Sequence, residues 1–443
     1  MKNTSKVLHM YGLLIFLLFN LMIPGCTPSL RPKPTIEPTA RPTDTPKEVV
    51  LKIGSWRTDD VEEMNRLWAI FHEQHPHIII EYDPTPATQY DAALEAQLEE
   101  GIAPDLFYLR SYGVSRHLYE KGYLAPLGDV LDLENSFAPA MLAPWTTEEG
   151  NPYGVPFIAT SHGIYYNKDI FEELNLPIPA TWEEFLTTAQ TIQDAEITPF
   201  ANTSGSQWTI AEIVFMNLAP NFIGGREGRM AYLSGERCFN DPHMVAAFEA
   251  VEDLAPHLPE NQDLLDYADS LQIFMQGKAA MWLGGSWDIP YFESQDPNFA
   301  WSVFAPPPPA GQPAYITFHL DAGMGLNANS QHKEEALEVL AWMTSPEFGA
   351  LLGNELPGFF PMHKQAPQLK NEHANTFLTL NQDRGTDVRF AWEKLRTGSP
   401  DGYTLILEGA IAVLNGEQTP QEAADALQSG LEQWFVPAQE CGQ

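Results

Sequence analysis

At 443 residues the chain exceeds what one hydrophobic core usually organises, so two lobes with separate cores are expected. Hydrophobic residues at 44% and charged residues at 19% are globular proportions. The formal net charge of -35 repels phosphate backbones and anionic lipid surfaces, which excludes nucleic acid as a partner and disfavours anionic ligands.

The N-terminus places Lys2 and Lys6 before an apolar run over 11–23, short for a membrane span and suited to a secretory h-region. That run ends in "IPGC", which resembles the lipobox of bacterial lipoproteins and implies a signal peptide over 1–25 with lipid on Cys26. Residues 27–48, "TPSLRPKPTIEPTARPTDTPKE", carry a proline every few positions and hardly a large apolar side chain. Such a stretch cannot bury a core and reads as an extended tether, at about 3.1 Å per residue where polyproline-like. Together these features predict an exported protein standing off a membrane. In an oxidising compartment Cys238 and Cys441 can either pair or stay free, and their spacing favours neither.

From Val49, "VVLKIGSW" reads as a strand, and Asp60 with Glu63 gives a D-x-x-E cap for a helix carrying Met64, Leu67, Trp68 and Phe71 at helical spacing. Pro76 stops that helix, "HIIIEY" supplies a second strand, "YDAALEAQLEEG" a helix ending at Gly101, and "APDLFYLR" a third strand. This alternation predicts a largely parallel sheet with right-handed crossovers. The middle repeats the pattern with "GIYYNKDIFEELNL" and with "TWEEFLTTAQTIQDA", where Thr181 and Glu184 form a capping box. "FAPPPPAGQP", residues 304–313, is a rigid connection, a strand and helix resume from "YITFHLDAGMGLNA", and the tail from Tyr403 to Trp434 is helical with a break at "NGEQTP".

Several segments together resemble one family, the extracellular solute-binding proteins of ABC importers, in the group that includes maltose-binding protein. The most specific is "YGVPFIATSHGIYYNKDIFEELNLPIPATWEEF"; the others are "APDLFYL", "GKAAMWLGGSW", "PGFFPMHK" and "LNGEQTPQEAADAL". The resemblance implies an α/β, two-lobed periplasmic-binding-protein-like fold (type II), with the ligand in a cleft between lobes joined by three crossing segments near 157–160, 318–320 and 357–360. The N-terminal lobe would comprise 49–158 and 318–356, and the C-terminal lobe 159–317 and 357–443. The implied partners are a sugar, the transmembrane subunits of a permease with its cytoplasmic ATPase, and the membrane through the lipid. The chain would act as a monomer without cofactor.

Enzyme chemistry finds little support in the residues. His72, His75 and His77 do not form H-E-x-x-H, "TSGSQW" is not G-x-S-x-G, and no G-x-x-x-x-G-K-[ST] occurs, so any ATP hydrolysis belongs to a partner. Sugars present C–H groups on a ring face and hydroxyls at the edge, so their sites combine flat aromatics with polar groups. Eleven tryptophans meet the first requirement. The candidates lie beside glycines or at strand ends: Trp56, Arg57 and Asp59 after the first strand, with Asp60 ranked below them as a cap, then Arg110 and Ser111 after the third. Thr160, Ser161 and His162 follow at the first crossing, then Gln207, Trp208, Trp287 and Asp288, with His319 and Asp321 at the second crossing. The resemblance adds Tyr403 as a stacking aromatic. The expected function is capture of a mono- or oligosaccharide for an importer. Two alternatives stand beside it: another polar solute such as a polyol phosphate or peptide-like compound, and a surface glycan hydrolase, which needs two carboxylates about 5 to 9.5 Å apart.

Overall fold

The computed structural model describes residues 47–365 and 368–442. The signal segment, Cys26 and residues 27–46 of the tether lie outside them. Among the described residues nine strands form one sheet: β1 (Val49–Ser55), β2 (Ile78–Pro84), β3 (Leu106–Arg110), β4 (Val155–Asn167), β5 (Thr198–Phe200), β6 (Ala279–Gly285), β7 (Trp301–Phe304), β8 (Tyr315–Leu326) and β9 (Gly385–Asp387). The main path is β2-β1-β3-β8-β4-β6-β5, with β7 on β4 and β9 on β8.

The first half follows from local pattern. Helix α1 (Val61–Gln74) buries Met64, Leu67, Trp68 and Phe71, and α2 (Ala87–Glu100) buries Tyr90, Leu94 and Leu98. Each covers the sheet with an apolar stripe at 3.6 spacing, and each large side chain so buried contributes about 1.5–3 kcal/mol. Gly101 ends α2 at φ +73°, the left-handed conformation glycine adopts without a Cβ penalty. Strands β2, β1 and β3 accordingly pair in parallel.

The expectation of a largely parallel sheet fails in the centre. β8 runs antiparallel to β3, β4 antiparallel to β8, and β6 and β7 antiparallel to β4. Parallel pairing is imposed by short β-helix-β units; β3 and β4 run the same way, and the reversed strand between them, β8, arrives from β7 through residues 305–314 and not by a crossover from either neighbour. β4 and β8 are the long strands, 13 and 12 residues. The first half of β4 pairs with β8 and its second half with β6 and β7, so one strand passes from one end of the sheet into the other. Beside it, Ala159 and Phe360 exchange both backbone hydrogen bonds, at 2.9 and 2.8 Å.

The far half encloses an aromatic core around Tyr165, with Phe292 edge-on at 4.8 Å and Trp282 and Trp301 each at 5.7 Å. Thr181 caps the helix Trp182–Asp194, while Glu184 reaches back to the amide of Ala180, one residue earlier than a strict capping box. Helices Gly402–Leu414 and Pro420–Leu431 flank the break at "NGEQTP". Cys238 and Cys441 are joined by a disulfide that ties the C-terminus to the turn before helix Pro242–Leu254. Among the described residues no helix is long and apolar enough to cross a membrane.

Candidate functional site

A cavity of about 500 Å³ opens where the ends of β1 and β3 face the segments around Trp208, Trp287 and 387–403. Seven aromatic residues line it: Trp56, Trp208, Trp287, Trp392, Tyr267, Tyr403 and Phe359. Four arginines line it too, Arg57, Arg110, Arg389 and Arg396, together with Asp59, Asp91, Glu212 and Asp321.

Most of these charges are already bonded. Arg110 donates through Nε to Asp91 at 2.8 Å and lies over the Trp56 ring at 4.6 Å, which covers one indole face. Arg57 donates to Asp60 at 2.8 Å and lies over Phe359 at 4.8 Å. Burial opposes the charge on Arg57, yet the carboxylates of Asp60 and Asp59 hold its pKa above the usual arginine value. Asp60 therefore serves the arginine, and its side chain makes no hydrogen bond to the α1 amides, which corrects the expected cap. Arg389 is the hub of the opposite wall. It pairs with Glu212 at 2.8 Å, approaches Asp321 at 3.4 Å, and donates from Nε to His162 Nε2 at 3.1 Å. Tyr403 donates to the other oxygen of Glu212 at 2.8 Å.

Strand alternation explains which expected residues reach the cavity. On β4, Thr160 lines the cavity with its hydroxyl buried and without a partner among the described residues, whereas Ser161 points to the other face and bonds Asn381 at 3.2 Å. His162 shares the face of Thr160 but is buried beneath Trp287, 5.2 Å edge-on, and Arg389. On β8, Asp321 lines the cavity and His319, two residues earlier, is buried under Trp392. Arg110 and Ser111 do not follow this rule: Arg110 pairs with Ala322, on the face opposite Asp321, yet reaches the cavity from the end of β3, whereas Ser111 is buried against His319, with Oγ 3.3 Å from Nε2. Asp288 is buried behind Trp287, accepting from Tyr267 and from the Gly285 amide. Gln207 is exposed outside the lining, one residue before the inward Trp208. Thus Trp56, Arg57, Asp59, Arg110, Thr160, Trp208, Trp287, Asp321 and Tyr403 line the cavity. Ser111, Ser161, His162, Asp288 and His319 stand behind its wall.

Burial shapes the second layer. It pushes Asp288 up to about 7, against the opposing hydrogen bonds from Tyr267 and Gly285. Burial, then the charge of Arg389, holds His162 and His319 well below the ordinary histidine value, so both are neutral. A neutral His162 can accept from Arg389, which a protonated one cannot.

Sequence reasoning missed Glu212, Tyr267, Phe359, Arg389, Trp392 and Arg396. Glu212 sits in the π-helical segment Ile210–Phe215, a conformation frequent at functional sites. The usable signal was the arginine and tryptophan interleaving in "RFAWEKLR". Of the three histidines near Pro76, His72 is exposed, while His75 and His77 are half-buried and both directed at Glu338, at 2.7 and 3.3 Å.

The model of the family described as bacterial extracellular solute-binding protein matches residues 53–350. An uncharacterized ABC transporter extracellular-binding protein of Pyrococcus horikoshii is 26% identical over 253 residues, covering 55% of this chain and 58% of that protein. The multiple sugar-binding protein of Streptococcus mutans is 30% identical over 203 residues, covering 44% of this chain and 47% of its own length. The chain thus spans about half the length of these curated relatives. Among solved structures, a chitin oligosaccharide binding protein is similar with a TM-score of 0.73 at 21% identity, over 86% of this chain and 98% of that one. That likeness is one of fold, the α/β, two-lobed type II binding-protein architecture.

Proposed function

We propose that this chain, which belongs to the bacterial extracellular solute-binding proteins, captures a mono- or oligosaccharide outside the cytoplasm and delivers it to an ABC permease. The carrying observation is the cavity itself, in which aromatic planes alternate with charged groups fixed by partners of their own. Aromatic planes suit the C–H faces of a pyranose, and prealigned donors and acceptors suit its hydroxyl edge. Because Arg110, Arg389 and Glu212 are held before any ligand arrives, binding costs little side-chain ordering. The names of the relatives, one sugar-binding and one chitin-oligosaccharide-binding, support the same class.

In this proposal the chain performs no chemistry and acts as a monomer tethered through lipid on Cys26. β4, β8 and the segment at Phe360 serve as the three crossings, with lobes 49–158 plus 318–356 and 159–317 plus 357–443. A thermal-shift screen of mono- and oligosaccharides tests the function, since a ligand at a hundred times its Kd stabilises by about 2.7 kcal/mol. A clear rise in Tm with at least one saccharide is expected. No shift across neutral and acidic saccharides at millimolar concentration would refute the assignment.

A further inference from the structure

Arg396 has a different environment from the other three arginines of the cavity. Arg57, Arg110 and Arg389 each hold a carboxylate at 2.8 Å. Among the described residues, Arg396 makes no ion pair; its guanidinium carbon lies over the Trp392 ring at 4.3 Å and over the Tyr403 ring at 4.6 Å. The two rings are inclined at 74° to each other, so the guanidinium can lie flat on at most one of them, and ring faces stabilise its charge without accepting the in-plane N–H hydrogen bonds by which a guanidinium recognises a planar anion. Of the cavity carboxylates, Asp59 is exposed and accepts only from the Thr58 hydroxyl at 3.3 Å, whereas the others are engaged by the opposite wall or by Arg110. Asp91 receives Arg110, while Glu212 receives both Tyr403 and Arg389.

We infer that the ligand is an acidic saccharide whose uronate carboxylate docks on the N–H edge of Arg396, with its ring against the neighbouring aromatic planes. This deepens the saccharide reading and rests on it. Four of the twelve arginines of a chain with net charge -35 converge on one cavity, and Arg396 is the one of the four without a carboxylate partner among the described residues. The overall acidity argued against anions, but it acts at long range and is screened beyond about 8 Å at physiological ionic strength, whereas Arg396 acts at contact. A singly charged planar carboxylate fits better than a phosphate dianion, because Glu212 and Asp321 line the same cavity.

The test uses matched pairs: uronic-acid mono- to trisaccharides, and the same sugars with the carboxylate reduced to the primary alcohol, titrated calorimetrically into the full chain. The uronates are expected to bind at least tenfold more tightly, with an affinity that falls as sodium chloride is raised. Arg396→Met should abolish that preference and Arg396→Lys should retain part of it, both with an unchanged ligand-free Tm. Tight binding of the neutral members with no gain for uronates would overturn this inference and leave the saccharide function standing. Binding of sugar phosphates but not uronates would also overturn it, and binding of none would remove the saccharide function itself.

Discussion

The Nε of Arg389 donates to Nε2 of His162 at 3.1 Å, and the Nδ1 of that histidine, buried, has no partner among the described residues. His162 is a positioning residue: it touches the arginine that carries Glu212 and Asp321, and is covered by Trp287. Replacing it by Leu removes the acceptor and is expected to cost about 1–3 kcal/mol of stability. Ligand affinity should fall at least tenfold, and Gln, which retains an acceptor oxygen, should recover part of both. The pH dependence has a definite sign. His162 stays unprotonated in the fold while the unfolded chain takes up a proton near pH 6.5, so stability declines as pH drops below that value. Melting curves from pH 7.5 to 5 should be flatter for His162→Leu than for the wild type. Parallel curves would remove the histidine from the network.

Asp288 has the opposite sign. Burial raises its pKa to about 7, so between about pH 4 and 7 the folded state holds a proton that the unfolded state has released. Its contribution to stability is therefore complete at low pH and is lost as pH rises through 7, with a slope of up to about 1.4 kcal/mol per pH unit. Asp288→Asn should gain stability relative to the wild type from pH 5 to 8. A constant difference across that range would mean that the carboxyl is already ionised at pH 5.

Trp287 is half-buried, lines the cavity, and donates from its indole to Tyr267 at 3.0 Å. A fully packed core tryptophan costs about 3–5 kcal/mol on truncation. Trp287→Ala is expected to lose less than that and to bind at least tenfold more weakly, about 1.4 kcal/mol. Early melting combined with normal affinity would return the indole to the core.

The disulfide between Cys238 and Cys441 closes a loop across 203 positions. Removing a cross-link over so long a loop typically costs about 2–5 kcal/mol. Cys238→Ser and the double variant with Cys441→Ser should melt earlier by the same amount, and a thiol reductant should lower the wild type to that level without affecting the variants. A wild-type Tm indifferent to reductant would show that the two sulfurs are unpaired in solution.

Gly358 has φ +90°, and a Cβ there would stand 1.8 Å from the carbonyl oxygen of Ser286. The Ser286 hydroxyl donates to the Gly358 carbonyl and accepts from the Ser161 amide at 3.0 Å, joining β4 to the segment of Phe360. Gly358→Ala combines a strained dihedral with a backbone clash, so a loss of at least about 2 kcal/mol is expected by denaturant titration. A change below 0.5 kcal/mol, roughly the scale of an ordinary surface substitution, would show that this junction yields easily.

The first half of the sheet was legible because each of its elements carries its own signal: a period-2 strand, a period-3.6 helix, a glycine stop. β4 and β8 were readable as strands, but their direction depends on partners far away in the chain, which local periodicity does not encode. The cavity residues at strand ends, such as Arg57 and Arg110, follow from the tendency of open α/β sheets to bind at carboxyl ends. Alternation, which the sequence reading did not apply to this crossing, separates Thr160 from Ser161 but not Thr160 from His162, since those two share a face and only Trp287 and Arg389 decide which is covered. Arg389, Trp392 and Arg396 stand in irregular backbone, where no period points to them.

The lining of the cavity runs from Trp56, at the end of the first strand, to Tyr403, in the third helix from the C-terminus. Contacts of such sequence separation form late, because loop closure must be completed before they can stabilise anything. A chain emerging N-terminus first can assemble β1, β2 and β3 with their helices, but it has no Glu212, Arg389 or Tyr403 with which to finish the site. An incomplete chain therefore lacks the cavity, whose lining closes only once nearly all of the described polypeptide has folded.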